Sequence, residues 1–162
     1  MQYSNPRWLI RRDLPECVDI ERASFPDPWS QEQFIESLRH RNCIGMVVEG
    51  DMPIVGFVIY TLSKDRLIVA NFAVHPDHRR RGVGSLMIQE LKRKVIEHVG
   101  SDGESCRDFL EIHVCEDNEP MHAFLKSQSF DAQRVDREFY DGRDGYCFMW
   151  ESYYDALTEV SQ

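Results

Sequence analysis

Residues 71–85 read Asn71-Phe72-Ala73-Val74-His75-Pro76-Asp77-His78-Arg79-Arg80-Arg81-Gly82-Val83-Gly84-Ser85, and this stretch decides the fold. The apolar run Leu67–Val74 predicts a strand that enters a tight basic turn. Gly82 and Gly84 then open a long amphipathic pattern that predicts a helix. A helix start leaves backbone N–H groups without intrahelical partners, and glycines let an anion approach them without meeting a Cβ. The helix dipole and three consecutive arginines add positive potential. Such a corner suits a diphosphate.

Three phosphate loops compete for this pattern. A P-loop needs Gly-Lys-Ser/Thr at the helix start, and the chain has Gly82-Val83-Gly84-Ser85 without a lysine. A dinucleotide fingerprint needs a third glycine or alanine at position 87, where Met87 stands. The spacing that fits is Arg79-x-x-Gly82-x-Gly84 behind a strand ending in Ala73-Val74. It resembles the acetyl-CoA loop of the GNAT N-acetyltransferases. The resemblance implies that Phe72, Ala73 and Val74 pair with the pantetheine arm. It also implies that Arg80, Arg81, Gly82, Val83, Gly84 and Ser85, with Arg79 heading the motif, hold the pyrophosphate. The bland alternative is a basic turn whose arginines are simply solvated.

The 162 residues suit one domain with a real core, expected over 1–151 and followed by a tail over 152–162. Hydrophobic residues make up 42% and charged ones 29%, an ordinary globular balance. Met1–Arg12 lacks an apolar leader segment, and no stretch approaches the ~20 apolar residues of a membrane span. The expectation is therefore no membrane. Five cysteines with no Cys-x-x-Cys pair suggest neither a disulfide framework nor a zinc site, so no metal is expected and a reducing cytoplasm is the simplest setting. A net charge of −9 argues against direct nucleic-acid binding. Arg79, Arg80, Arg81, Lys92, Arg93 and Lys94 concentrate positive charge in one region, which suits an anionic cofactor. The acidic C-terminal part suits a cationic amine, or merely keeps the protein in solution.

Outward from the loop, Ile10–Asp13 predicts a short first strand, and Asp13 with Glu16 predicts the cap of a helix over Leu14–Ser24. After the rigid Phe25-Pro26-Asp27-Pro28-Trp29 break, Ser30 and Gln33 match a capping box for a second helix. Strands are expected at Cys43–Val48, Ile54–Leu62 and Arg66–Val74. A helix over Gly84–Val99 should bury Leu86, Met87, Leu91, Val95 and Ile96, and Gly100–Ser105 reads as a loop. Phe109–Cys115 alternates strictly, with Glu111, His113 and Cys115 on one face. Asn118 should cap a helix through Gln128, and strands near Ala132–Phe139 and Gly145–Trp150 flank an Asp141-Gly142 turn. This order implies an α/β (α+β) fold: a mixed central sheet of six to seven strands with helices on both faces.

The element order is also that of the GNAT family, and the resemblance spans roughly residues 7–150. Within the superfamily the chain resembles the RimI-type ribosomal-protein alanine acetyltransferases. Ala23-Ser24-Phe25-Pro26-Asp27-Pro28-Trp29-Ser30 is similar to their Phe-Pro-Trp-Ser element with two residues inserted. Asn71-Phe72-Ala73-Val74 is similar to their Asn-x-Ala-Val strand. Asn118, twelve residues before Phe130, is similar to their cofactor-contacting asparagine, and Arg137-Glu138-Phe139-Tyr140 with Asp144 to their Tyr-Tyr and Asp-Ala hairpin. The resemblance implies transfer of an acetyl group from acetyl-CoA to the N-terminal α-amine of a protein. A ribosomal alanine is the family's best-known target, and the enzyme would act as a monomer or homodimer. A small-amine acetyltransferase and a non-catalytic acetyl-CoA-binding module are the alternatives.

The family's base is a glutamate on the strand after the crossover helix. Local text matches it to Glu111, and counting back five residues from Asn118 matches it to His113. Glu111 is preferred if the extra residues lie in the strand-to-helix turn, while a neutral imidazole could do the same work. The family's tyrosine acid falls on Leu125, which cannot donate a proton, and Ser129 replaces the usual glycine. Tyr140 is the remaining phenol near the site, as a proton donor or as a wall of the substrate groove. Phe25 and Trp29 either line that groove or anchor the turn in the core.

Overall fold

The computed structural model describes residues 2–97 and 107–152. In chain order the elements are β1 (Arg7–Trp8), α1 (Leu14–Ser24), α2 (Gln31–Leu38), β2 (Cys43–Val48), β3 (Gly56–Leu62), β4 (Arg66–Val74), α3 (Val83–Glu97), β5 (Phe109–Cys115), α4 (Glu119–Ser127), β6 (Asp131–Tyr140) and β7 (Arg143–Glu151). The seven strands form a mixed sheet in the order β1-β2-β3-β4-β5-β7-β6. The chain divides into two compact units, Met1–Leu62 with Ala70–Glu90, and Ser63–Val69 with Leu91–Gln162.

In the first unit β2 pairs antiparallel with β1 and with β3, from Cys43↔Thr61 to Val48↔Gly56. Helix α1 buries Leu14, Cys17 and Val18 at helical spacing, and Phe34 of α2 joins them. The Phe34 ring meets Trp29 and Phe57 edge-on, each at 5.4 Å. Phe25 and Trp29 pack against this core, which favours their anchoring role. The Ser30/Gln33 capping box forms in full, with bonds of 3.2 and 2.8 Å.

Two expectations change here. The first strand is Arg7–Trp8, while Arg11–Asp13 is a 3-10 turn. Asp13 stands at the start of α1 but makes no cap bond. Its carboxylate instead accepts both Arg7 amino groups, at 2.8 and 3.0 Å, and the Ile10 N–H at 2.9 Å. That bond and the Asp13 N–H on the Ile10 carbonyl close the turn where a strand was expected.

In the second unit Arg66–Val69 of β4 pair parallel with Phe109–Ile112 of β5, the relationship a crossover helix requires. Strand β5 pairs antiparallel with β7 along its whole length, and β7 with β6. Asn118 caps α4 by accepting the Met121 N–H at 3.3 Å. Helix α3 buries Val83, Met87, Ile88, Leu91 and Val95, but Ile96 is 60% exposed and Leu86 only half-buried. The four-residue steps 83-87-91-95 carry the buried line, and position 96 lies a further ~100° round the helix. The expected loop Gly100–Ser105 and the tail beyond Ser152 lie outside the described residues.

Candidate active site

In the first unit the basic turn is built by its own side chains. His75 Nδ1 accepts the Asp77 N–H at 3.1 Å, and Pro76–His78 form a 3-10 turn. His78 is buried, with Nδ1 3.1 Å from the Tyr3 hydroxyl and Nε2 3.1 Å from an Asp51 oxygen. Arg79 donates Nε to the Val74 carbonyl and Nη2 to Ser24 Oγ, both at 2.9 Å. This first arginine therefore clamps the strand end to the end of α1, and Arg80 and Arg81 follow it as exposed cations.

Arg80 at φ 62° and Gly82 at φ 91° both take left-handed backbone. A Cβ on Gly82 would meet nothing within 4 Å, so the amide approach is open. Helix α3 starts at the next residue, directing the N–H groups of its first turn at that corner. Opposite its flank, a Cβ on Gly56 would lie 2.9 Å from Val83 Cγ1, so β3 passes close under the helix start. Backbone amides, open space and two exposed guanidinium groups fit a diphosphate.

The same unit holds a buried polar pair, Asn71 of the Asn-x-Ala-Val motif and Glu21, which sequence reasoning did not single out. Glu21 accepts the Asn71 side-chain amide at 2.8 Å and the Trp29 N–H at 2.9 Å. Burial pushes the Glu21 carboxyl up, opposed by these two bonds. Asn71 precedes the Phe72-Ala73-Val74 segment, so Glu21 ties the α1–α2 turn to β4. The signal available was an Ile-Glu at the buried end of α1 and the Asn71 motif.

In the second unit Glu111 is 4% exposed in the middle of β5. Arg66 Nη1 donates to its Oε2 at 3.1 Å, and Arg134 Nη2 and Cys147 Sγ to its Oε1 at 3.3 and 3.1 Å. Burial alone would raise this carboxyl, but the bonds from Cys147 and Arg66, with His113 and Arg66 nearby, hold it below the usual carboxylate range. Cys147 responds in the other direction: burial and the Glu111 bond push its thiol up to about 12.

His113 Nε2 lies 3.0 Å from Asp136 Oδ2 and 3.8 Å from Glu111 Oε1, its ring stacked on Phe139 at 4.4 Å. A Cβ on Gly145 would strike Phe139 Cβ at 2.8 Å, so the bare glycine makes room for Phe139. The Tyr140 hydroxyl donates to the His113 carbonyl at 3.1 Å, and burial pushes its phenol up to about 12. That bond makes Tyr140 a brace of the β5 backbone. Leu125 is wholly buried, and Ser129 sits at φ 68°, the conformation that favours glycine there. Glu111 and His113 thus share one cluster with Asp136 and Cys147, which chain spacing concealed.

The chain matches the model of the acetyltransferase (GNAT) family over residues 14–130. It is 26% identical over 138 residues to the ribosomal protein bS18-alanine N-acetyltransferase of Salmonella typhimurium, covering 85% of this chain and 88% of that one. The Escherichia coli K12 enzyme of the same name gives 26% over 137 residues, covering 85% and 87%. Among solved structures, the Escherichia coli ribosomal-protein-S18-alanine N-acetyltransferase superposes with a TM-score of 0.75 at 22% identity, covering 93% of this chain and 94% of that one. Ard1 from Thermoplasma volcanium gives 0.80 at 20%, covering 93% and 98%. Arabidopsis thaliana NAA60 in complex with acetyl-CoA gives 0.75 at 19%, with the same coverages. The chain belongs to the GNAT acetyltransferase family and is an acetyl-CoA-dependent acyltransferase.

Proposed function

We propose that this protein acetylates the N-terminal α-amine of a protein, a ribosomal protein being the first candidate. The observation that carries the reading is the near end-to-end match to relatives named as ribosomal protein bS18-alanine N-acetyltransferases, at 85% coverage of this chain. When bound, acetyl-CoA supplies a thioester carbonyl. Arg80, Arg81, Gly82 and the first turn of α3 hold its diphosphate, Phe72–Val74 its pantetheine arm, and Asn118 assists. An α-amine, with an ordinary pKa of about 7.7–8.0, must shed a proton before it attacks. Glu111 takes that proton, directly or through one water, because it stays ionised and its three donors leave one carboxylate lone pair open. The new N–C bond forms as the C–S bond breaks, and water protonates the departing thiolate.

A second assignment of the base rests on the 3.0 Å His113–Asp136 contact, which would orient the imidazole for the same task. Comparing Glu111→Gln with His113→Ala separates them: the true base loses at least ~100-fold in kcat. We place the enzyme in the cytoplasm, as a monomer or homodimer acting without nucleic acid. Free thiols at Cys17, Cys43, Cys115 and Cys147 and the charge of −9 support this. Among the described residues no helix is long and apolar enough to cross a membrane. The function is tested by turnover on N-terminal peptides against free amino acids and polyamines. Preference for the peptides supports it; turnover on free amines alone, or acetyl-CoA binding without turnover, overturns it.

A further inference from the structure

Four side chains of metal-binding type converge on one face of the β5-β7-β6 strands. His113 of β5 is the register partner of Cys147 of β7, and Cys147 in turn of Arg134 of β6. Glu111 and Asp136 stand two residues along from His113 and Arg134, on the same faces. Over the short Cys147 side chain, His113 and Asp136 meet across β7 at 3.0 Å.

The spacing suits one ion. Ligand atoms of Glu111, His113 and Cys147 all lie within 4.8 Å of one another. Cys147 Sγ is 3.1 Å and His113 Nε2 is 3.8 Å from the same Glu111 oxygen. A tetrahedral ion with bonds of ~2.0–2.3 Å holds its ligands roughly 3.3–3.7 Å apart, so small side-chain adjustments bring these three onto one ion, and Asp136, 3.0 Å from His113, stands beside them as the fourth ligand. One thiolate, one imidazole and two carboxylates form a donor set for zinc or cobalt rather than magnesium or calcium.

The competing cation is Arg134, which donates to Glu111 Oε1 and to both Asp136 oxygens. Its side chain is 51% exposed and can swing into water, while Arg66 keeps Glu111 Oε2 as an outer partner. Access runs past His113 and Asp136, whose side chains reach solvent.

We propose that Glu111, His113, Asp136 and Cys147 form a binding site for a zinc-class divalent cation, and that its occupancy blocks acetyl transfer. Binding forms a sulfur–metal bond and releases the Cys147 thiol proton to water, with no change of oxidation state. The inhibitory consequence rests on Glu111 or His113 acting as the base; the binding does not.

Cobalt(II) titration of the purified full chain tests the site without reference to activity. One equivalent should produce a thiolate-to-cobalt charge-transfer band and the strong visible absorption of a tetrahedral ion, both erased by added zinc. Cys147→Ser should abolish the charge-transfer band, Asp136→Asn should weaken cobalt binding at least tenfold, and Cys115→Ser should change neither. Should Cys147→Ser fail to fold, His113→Gln takes its place, with the same loss of affinity expected as for Asp136→Asn. No charge-transfer band in the native chain, or a band unaffected by Cys147→Ser, Asp136→Asn and His113→Gln, overturns the site. Zinc should also reduce peptide acetylation at least tenfold, reversibly with a chelator. Zinc binding that leaves acetylation unchanged keeps the binding site and overturns the inhibition and the base assignments.

Discussion

Arg66 of β4, the register partner of Phe109, reaches diagonally to Glu111 two residues further along β5, with Arg66 Nη1 3.1 Å from Glu111 Oε2. Burial pushes this carboxyl up, but the bonds from Cys147 and Arg66 outweigh it and hold the group below the usual carboxylate range. The proposed base is therefore permanently charged at neutral pH, and the rate should follow deprotonation of the acceptor amine.

Glu111→Gln should lower kcat by ~100-fold or more while acetyl-CoA affinity stays within a factor of about two. The variant should also show a pH signature in stability. With its folded pKa depressed, Glu111 contributes stability above the unfolded value of about 4.3 and loses it as pH falls through the folded pKa. Urea unfolding should show a penalty for Glu111→Gln near pH 7 that shrinks on acidification.

Glu21 carries the opposite sign. Its folded pKa is raised, so the folded chain keeps a proton that the unfolded chain has released above about pH 4.3. Its contribution to stability therefore falls as pH rises through this window and then levels off. Glutamine accepts the Trp29 N–H and donates to a reoriented Asn71 amide. Glu21→Gln should therefore gain stability relative to the native chain as pH rises above about 4.3, until the folded Glu21 has also ionised. A pH-independent difference in urea midpoints would contradict the burial argument.

Ser129→Gly relieves a left-handed residue at the end of α4, where φ is 68°. Thermal unfolding should show a gain of about 1 kcal/mol. Unchanged or lowered stability would mean the serine is not strained there.

Gly84→Asp places a carboxylate on the first turn of α3, beside the amides assigned to the diphosphate. Calorimetry should show acetyl-CoA affinity falling at least tenfold, with circular dichroism unchanged. Native affinity in a folded variant would reject that placement.

Much of the fold was legible because its signals are local. The alternation of Phe109–Cys115, the Ser30/Gln33 box and the glycines after Arg81 each encode their element within a few residues. The Ile10–Asp13 strand failed because Asp13 is claimed by Arg7, a partner outside the local pattern. In the candidate site, Glu111 and His113 could be named from β5 alone. Their surroundings could not: Arg66, Asp136 and Cys147 arrive from other strands, and Glu21 meets Asn71 across fifty residues. A glycine in β3, Gly56, proved to seat α3, a packing role that only the register reveals.

The most direct measurement is mass spectrometry of peptides that vary in their first residue and carry an internal lysine, after incubation with the enzyme and acetyl-CoA. The account predicts a single acetyl group on the α-amine, with a preferred first residue and the lysine untouched. Acetylation confined to lysine, or none on any peptide, would contradict it.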